Sequence, residues 1–173
     1  PEGGGSFVAE HQYGGEVFNF YPIGKNYFGF SRVQDDKSIR IEALGADKDS
    51  ESIDNIVIVF FAKNKLLGGG QYIVGWYKNA KLYRTAQEFK KSKVNYRNHF
   101  NSTARVEDCY LVPEEDRTVL PVPEDGPGQM NIWYVENYRD KKYIAEVKKY
   151  ISDPENYIDR QPKGKKGTKR AWQ

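Results

Sequence analysis

Residues 56–77 contain the pattern that decides the fold: Ile56-Val57-Ile58-Val59-Phe60-Phe61, a turn at Gly68-Gly69-Gly70, and then Tyr72-Ile73-Val74-Gly75-Trp76-Tyr77. Both runs are rich in β-branched and aromatic residues, and a glycine cluster between such runs is typical of a turn. We therefore predict two neighbouring strands. Because the first run is apolar without interruption, we expect it to be a central strand that is buried on both faces.

Further strands and helices are predicted on either side of this pair. Short strands are predicted at Val17–Tyr21, Tyr27–Val33, Ile39–Leu44 and Val106–Val112. At Thr85–Lys91, a mixture of Ala, Gln, Glu and Lys favours a short helix. Asp140–Ile151 is the clearest helix, because its apolar residues recur on one helical face and Asp140 is a suitable cap. The sequence Ser152-Asp153-Pro154 is expected to end it.

The order of these elements predicts one α+β domain, a small curled mixed sheet or β-barrel with flanking helices. A chain of 173 residues falls within the usual size of a single domain. Residues 1–12, which include a run of glycines, are predicted to be a disordered start or a cloning remnant. Residues 13–158 form the predicted single domain. Residues 159–173 are a predicted basic linker.

Cysteine content and hydropathy favour a cytoplasmic protein. The single cysteine, Cys109, excludes an internal disulfide and is typical of a reducing compartment. It lies in a strand-like apolar run, so we expect a small core residue and not a nucleophile. No apolar stretch approaches the ~20 residues of a membrane-spanning helix, so we predict no membrane partner. The sequence leaves the oligomeric state open.

Charge is distributed unevenly along the chain. The net charge is +3, but six basic residues and no acidic residue follow position 159, which leaves the rest of the chain net acidic. Within that part, Lys78–Arg105 carries eight basic residues and one acidic residue, whereas Asp35–Asp54 and Glu107–Asp125 are acidic. This polarity favours a surface that binds a polyanion; the alternative is a set of solvated loops.

No catalytic constellation is recognisable in the sequence. His11 and His99 lie in different segments without metal-ligand spacing, and we predict both to be surface residues. A metal-dependent nuclease core would combine an acidic residue with an acid-x-lysine motif. Asp54 and Lys63 fit this pattern in part, but Phe61 stands where the second carboxylate is needed. We therefore predict no catalytic residue, no metal site and no cofactor.

The segment Gly69–Arg84 places flat aromatic rings beside polar and basic side chains. Trp76 and Tyr77 are candidate rings for holding an unstacked base, and the amide of Asn79 can pair with a base edge. The predicted phosphate contacts are Lys78, Lys81, Arg84, Lys90 and Lys91. The alternative for Trp76 is a core position, and the sequence leaves both open.

Two further segments complete the predicted base-binding pocket. Tyr27 and Ser31 share one face of a predicted strand, and we assign them to the pocket as an opposing ring and a polar wall. Phe28 and Phe30, on the other face, are expected in the core. A loop rich in amides is predicted either to fill the gap left by a flipped base or to pack under the last helix. Its residues are Gln129, Met130, Asn131 and Trp133.

Three blocks of the sequence resemble domains of known proteins: Gly15–Phe20, Val74–Ala80 and Gly128–Tyr134. In their order, and in the basic tail that follows them, they look like the N-terminal domains that precede nuclease domains in bacterial and archaeal restriction proteins. Such domains are similar to the PUA-like group, which includes the EVE, YTH and SRA readers. The resemblance spans about residues 13–173. It implies a PUA-like β-barrel that takes a modified base into an aromatic cage, with a nuclease domain after Gln173.

The residues and the resemblance together predict a DNA-binding module. It would recognise a modified base in double-stranded DNA, flipped into an aromatic pocket, as the specificity domain of a modification-dependent restriction endonuclease. Its partner in the full-length chain would be the C-terminal nuclease domain. Three alternatives remain open: a PUA-like RNA-binding domain that uses the same pocket, a metal-dependent nuclease in its own right, and a protein-interaction module.

Overall fold

A computed structural model describes residues 15–33, 38–63, 70–89, 98–124, 132–135 and 139–160. These residues form an α+β structure with six strands in one strongly curled sheet, a half-barrel, and two α-helices. The predicted fold class is therefore confirmed. Every described strand pair is antiparallel, where a mixed sheet was expected.

The strands are numbered along the chain. Their bounds are Pro22–Ile23 (β1), Asn26–Gly29 (β2), Ser52–Lys63 (β3), Gln71–Glu88 (β4), His99–Arg105 (β5) and Cys109–Leu111 (β6). In the sheet their order is β1-β2-β5-β4-β3, and β6 also pairs with β4. The helices are Lys141–Ser152 (α1) and Pro154–Arg160 (α2). Short 3-10 helices lie at Gly15–Phe20, Ile41–Leu44, Val106–Asp108 and Glu114–Asp116.

Strand β4 organises the sheet because its 18 residues pair with three neighbours. It pairs with β3 along most of its length, with β6 at residues 75–77 and with β5 from Lys81 onward. The register between β3 and β4 shifts three times, and Asn55 and Asn79, beside two of these shifts, have positive φ angles of 59° and 49°. Bulges of this kind bend a strand and increase its twist, so they account for the curl of the sheet.

The inner side of the sheet is the side to which Tyr77 and Leu82 of β4 point, and it holds two of the three core clusters. Ile56 and Ile58 of β3 pack against both clusters, so the two are continuous. Phe20, from the 3-10 helix Gly15–Phe20, packs against this inner side. A Cβ atom on Gly75 would lie 2.4 Å from the Phe20 ring, which shows how closely that helix approaches β4.

The outer side of β4 is covered by the two helices. Its buried cluster consists of Ile73, Trp76, Val112 and Tyr150, and side chains of both helices pack against it. The Asp140 carboxylate accepts a hydrogen bond from the Tyr143 backbone N–H at 2.9 Å, so the predicted cap of α1 is confirmed. Pro154 follows the end of α1 and begins α2, because proline is tolerated in a first helical turn. The sequence analysis did not predict α2.

Two predicted strands are 3-10 helices instead. Val17–Tyr21 falls mostly within the 3-10 helix Gly15–Phe20, and Ile39–Leu44 contains the 3-10 helix Ile41–Leu44. Ile39 and Ile41 are buried in the inner core without belonging to a strand. Both predictions were wrong because a short apolar run reports burial and does not distinguish a strand from a helical turn.

The helix predicted at Thr85–Lys91 is the end of β4 as far as Glu88. Gln87 pairs with Phe100 and Glu88 with His99, and these cross-strand pairs outweigh a helix preference of a few tenths of a kcal/mol per residue. The run Ile56–Phe61 lies in β3, next to Tyr72–Tyr77, as predicted. It is nevertheless an edge strand of the described sheet and not a central one.

Neither described helix has the length and apolar character needed to cross a bilayer. The predicted boundary between residues 12 and 13 lies outside the described ranges, and the one between residues 158 and 159 falls within α2; both stay predictions. The predicted cytoplasmic location stays a prediction as well.

Candidate nucleic-acid interface

Trp76 and Tyr77 lie on opposite sides of the sheet and do not form a cage. Trp76 is 1% exposed on the outer side, stacked on Tyr110 with ring centroids 4.8 Å apart. Tyr77 is fully buried on the inner side, and its hydroxyl donates a hydrogen bond to the backbone oxygen of Asn19. Because adjacent residues of a strand point to opposite faces, the two rings cannot close on one base. Of the two alternatives for Trp76, the structure shows the core position.

Tyr27, predicted as the opposing ring, packs in the inner core. Its ring is nearly parallel to that of Tyr77, with centroids 5.9 Å apart. Gly29 lies on the same face, where a Cβ atom would come within 3.1 Å of the Tyr77 ring. The face of β2 that was expected to line a pocket is thus the core face, and Phe28 points to the outer side instead.

Two buried asparagines hold the chain beyond β2, including Ser31. The Asn101 side chain accepts a hydrogen bond from the Ser31 N–H at 3.0 Å and donates one to its carbonyl at 2.7 Å. Asn19 makes the same pair of bonds with Phe30, at 2.8 Å and 3.1 Å. An asparagine amide offers one donor group and one acceptor, so each side chain substitutes for a neighbouring strand. The backbone of Ser31 therefore belongs to the scaffold.

Asn79, predicted as a reader of base edges, occupies the bulge in β4. Its positive φ angle favours asparagine or glycine over other residues. The side chain is exposed, and its amide donates a hydrogen bond to Asp108 Oδ1 at 2.9 Å. Asn79 thereby ties the bulge to the 3-10 helix before β6. Lys78, next to it, is partly exposed.

Arg84, predicted as a phosphate contact, is engaged within the protein. Its Nε donates to the Ser50 carbonyl at 2.8 Å, and its Nη1 lies 2.7 Å from Glu42 Oε2. Its Nη2 donates to the carbonyls of Asp47 and Lys48 at 3.3 Å and 2.9 Å. These bonds attach the loop before β3 to β4. These bonds use four of the five guanidinium N–H groups and leave one N–H of Nη1, so the structure does not favour Arg84 as a phosphate contact.

Several predicted site residues lie outside the described ranges, and their assignments stay predictions: Lys90, Lys91, Gln129, Met130 and Asn131. Trp133 is described and partly exposed. Its neighbours Ile132 and Tyr134 pack against the inner core, so Trp133 lies on a segment that is attached to the inner side of the sheet.

Four aromatic rings that the sequence analysis did not combine meet on the outer side of the sheet, where β2, β5 and β4 adjoin. We call them the outer ring cluster: Phe28, Tyr83, Phe89 and Phe100. Phe28, Phe89 and Phe100 are mutual neighbours, with centroids 4.9 Å to 5.1 Å apart, and Tyr83 is 5.8 Å from Phe100. All four are partly exposed. Alternation with inward neighbours in β2 and β4 places Phe28 and Tyr83 on this side, whereas only the ring contacts place Phe100 there.

Lys81 places a positive charge beside the outer ring cluster. Its Nζ lies 5.9 Å from the centroid of the Tyr83 ring and 3.1 Å from Asp54 Oδ2. The lysine side chain is 36% exposed and the aspartate 58%, so solvent screens this ion pair strongly. Lys81 is the predicted phosphate contact that the structure places next to aromatic rings. Lys90 follows the ring residue Phe89 directly in the sequence.

Helix α1 presents a lysine face to solvent. It consists of Lys141, Lys142, Lys148 and Lys149, all exposed, whereas Tyr143 and Tyr150 of the same helix are buried. The two lysine pairs are seven residues apart, which places them on one side of the helix about 10 Å from each other along its axis. Lys149 is paired with Glu146 at 2.8 Å. The sequence analysis compared the net charge of long segments and so missed this face. The seven-residue spacing between the two lysine pairs would have revealed it.

Reactive side chains are few in the described part of the chain. Burial, followed by the charge of Asp108, raises the pKa of the Cys109 thiol to about 12. The thiol is partly buried against the inner core, as predicted, and donates to the Arg105 carbonyl at 3.1 Å. His99 is exposed, as predicted. Within the described ranges, no three His, Cys, Asp or Glu side chains are grouped as ligands of a metal ion.

No protein-family model matches this chain, and comparisons with curated proteins and with solved structures find no match. The structure itself shows an α+β half-barrel that carries an outer ring cluster, an adjacent lysine and a basic helix face. The resemblance to N-terminal domains of restriction proteins stays an interpretation of the three sequence blocks.

Proposed function

We propose that this chain is a nucleic-acid-binding module that recognises a modified base in double-stranded DNA. In this proposal it is the specificity domain of a modification-dependent restriction endonuclease. The outer ring cluster contacts the base, and Lys81 and the lysine face of α1 contact phosphates. The observation that carries the proposal is the outer ring cluster itself, four partly exposed rings beside a cationic side chain.

Partial exposure of the outer ring cluster supports a role in binding. Aromatic side chains gain free energy by leaving water, so a group of them left partly in solvent marks a surface that a ligand covers. Stacking of a base on such rings is worth ~1–3 kcal/mol. The rings touch one another, so a base would stack on the cluster and not slide between its members. A base in duplex DNA must leave the helix to do so, which is easiest where pairing is already weakened.

Cationic groups near the rings support a nucleic acid as the ligand. A nucleotide stacked on Tyr83 would bring its phosphate within reach of Lys81, whose weak pair with Asp54 can be exchanged. The two lysine pairs of α1, about 10 Å apart, match the width of the major groove of B-DNA, ~12 Å. They can therefore reach phosphates on both sides of that groove.

The first test compares modified and unmodified duplexes. Fluorescence anisotropy is measured for one sequence that carries cytosine, 5-methylcytosine, 5-hydroxymethylcytosine or N6-methyladenine, at two salt concentrations. RNA of the matched sequence is added as a competitor, because stacking alone does not select DNA. We expect one modified duplex to bind at least tenfold more tightly than the unmodified one. Equal binding to all four duplexes would contradict base recognition, and stronger competition by RNA would favour the RNA-binding alternative.

The second test assigns the rings. Tyr83→Leu and Phe100→Leu keep apolar volume but remove the stacking surface, and we expect each to reduce the preference for the modified duplex by about tenfold or more. Tyr21→Leu is the matched control, since Tyr21 is 56% exposed and not part of the cluster. Circular dichroism confirms folding of each variant. A preference that survives in both cluster variants would rule out the outer ring cluster as the base-contacting surface.

The third test assigns the lysine face. Lys142→Gln/Lys148→Gln removes two charges from α1, and Lys25→Gln/Lys48→Gln removes two from exposed positions elsewhere. Each lost phosphate contact reduces the slope of log affinity against log salt by about 0.9. We expect a reduction of up to about 2 for the α1 variant, uniform across sequences, and little change for the control. Identical slopes for the two variants would show that only overall charge matters.

A further inference from the structure

Strand β3 leaves one long edge of the described sheet unpaired. It spans 12 residues, and β4 is the strand to which it is hydrogen-bonded. Between Asp54 and Lys63 it contains no charged residue and no proline. Natural proteins protect free edges with charges, prolines or bulges, because exposed backbone N–H and C=O groups pair readily with another chain. The bulge at Asn55 protects the beginning of this edge, and residues 56–62 are left without such protection.

We propose that this edge pairs with β3 of a second copy of the chain, antiparallel, about a two-fold axis at Val59. In an antiparallel pair, residues directly opposite each other point to the same face. Pairing centred on Val59 sets Val57 opposite Phe61, and both lie on the outer face by alternation from Val59, which packs in the outer cluster. Val57 is 53% exposed in the single chain. In the dimer, the Val57 side chain of each copy is covered by Phe61 of the other copy.

Charges at the two ends of β3 complement each other in the same register. Counting the extra residue of the bulge at Asn55, Asp54 of one copy comes opposite Lys63 of the other, and the two-fold axis repeats the pair. Both side chains are on the outer face: Asp54 contacts the outward Lys81, and Lys63 is two residues from Phe61. Opposite charges directly across a strand pair are favourable, and like charges are unfavourable.

A second copy is favoured over an unrelated peptide because β3 is complementary to itself. One register matches the faces, covers the exposed Val57 and pairs both charges, which an arbitrary strand would not do. A two-fold contact also closes after one pairing, so it protects the edge without forming fibres. A strand pair alone buries less than the ~800 Å² per partner of a standard interface, so we expect a dissociation constant on the order of micromolar.

Sedimentation equilibrium of the full chain tests the proposal with a charge swap. Lys63→Glu places a glutamate opposite Asp54 at both ends of the contact, and we expect it to raise the dimer dissociation constant at least tenfold. The double variant Asp54→Asn/Lys63→Glu removes the repulsion between the two carboxylates without placing a second lysine beside Lys81, and it should restore part of the lost affinity. Lys25→Glu makes the same charge change at an exposed position outside β3 and serves as the control.

Two further outcomes would overturn the proposal. Wild-type chain that stays monomeric into the high micromolar range would exclude pairing with a second copy. A monomer is also the result expected if another segment of the same chain covers the edge, and that case overturns the proposal as well. A dimer that Lys63→Glu leaves unchanged would place the interface elsewhere. Concentration-dependent slowing of amide hydrogen exchange in residues 56–62 would support the proposed edge independently of the charge variants.

Discussion

Trp76 of β4 and Tyr110 of β6 are directly paired across the sheet and stack with an interplanar angle of 17°. Trp76 also meets Tyr150 of α1 edge to face, with ring centroids 5.1 Å apart. The indole thus joins three elements: the longest strand, the shortest strand that pairs with it, and the helix that covers both. Trp76 therefore stabilises the core and is not part of the candidate binding surface.

Replacement of Trp76 should therefore destabilise the fold. We expect Trp76→Ala to lower the free energy of unfolding by about 3–5 kcal/mol, because it removes a buried aromatic side chain and leaves a cavity. Urea unfolding followed by circular dichroism measures the change. Tyr21→Ala removes a ring that is 56% exposed, and it should lower the free energy of unfolding by much less than Trp76→Ala. A Trp76→Ala variant with wild-type stability would contradict the core assignment.

Substitutions at Asn79 separate a backbone role from a role in base recognition. Alanine adopts a positive φ less readily than asparagine, and Asn79→Ala also loses the hydrogen bond to Asp108. We therefore expect this variant to lower the free energy of unfolding by about 1–3 kcal/mol. Asn79→Gly adopts the same φ freely and should cost less than half as much. Thermal and urea unfolding check both values. Equal stability losses, together with equal losses of binding to a modified duplex, would favour the original assignment as a reader of base edges.

Acid should weaken the attachment of the loop before β3. A hydrogen bond from its own backbone, and then one from Arg84, lower the pKa of the Glu42 carboxyl. A carboxyl whose pKa is lower in the folded state adds stability above its unfolded pKa, and that stability is lost as the pH falls through the folded pKa. We expect the unfolding free energy of Glu42→Gln to fall less steeply than that of wild type between about pH 6 and pH 3. Glu115→Gln, at an exposed position outside this loop, is the control for the loss of one negative charge.

The single cysteine reports on the inner core. With a pKa of about 12 against an ordinary value of 9.0, the Cys109 thiolate is about a thousandfold less populated at pH 8 than that of a free thiol. We expect alkylation by iodoacetamide to be slower by about that factor in the native protein, and to reach the rate of a free thiol in urea. Mass spectrometry follows the modified fraction. Rapid alkylation of the native chain would show that the thiol is neither buried nor held by the Arg105 carbonyl.

The sequence predicted an element correctly where it contains both a periodic pattern of apolar residues and the residues that begin or end the element. Helix α1 was predictable because its apolar stripe, its Asp140 cap and its proline stop agree. The pairing of β3 with β4 was predictable because two β-rich runs flank a glycine turn. The 3-10 helices and the end of β4 were not, since there the conformation follows from packing against distant residues that outweighs weak local preferences.

The candidate site was less predictable than the fold. Grouping Trp76 with Tyr77 followed their adjacency in sequence, whereas a strand sends adjacent side chains to opposite faces. The outer ring cluster combines Phe28 with Phe100, which lie far apart in the chain and become neighbours because β2 pairs with β5. Assigning Arg84 to phosphate binding followed its charge, but its partners are the Glu42 carboxylate and three backbone carbonyl groups, all more than 30 residues away in the chain.

By itself the sequence determined that this chain folds into a curled α+β structure, with aromatic strands and a helix capped by Asp140. Periodicity, turn residues and capping residues are local, and they specify the elements that they occupy. Only the tertiary structure decided which rings are core and which meet solvent. That choice depends on strand pairing, on the face of the sheet that each residue occupies, and on the bulges at Asn55 and Asn79, which reverse the alternation beyond them.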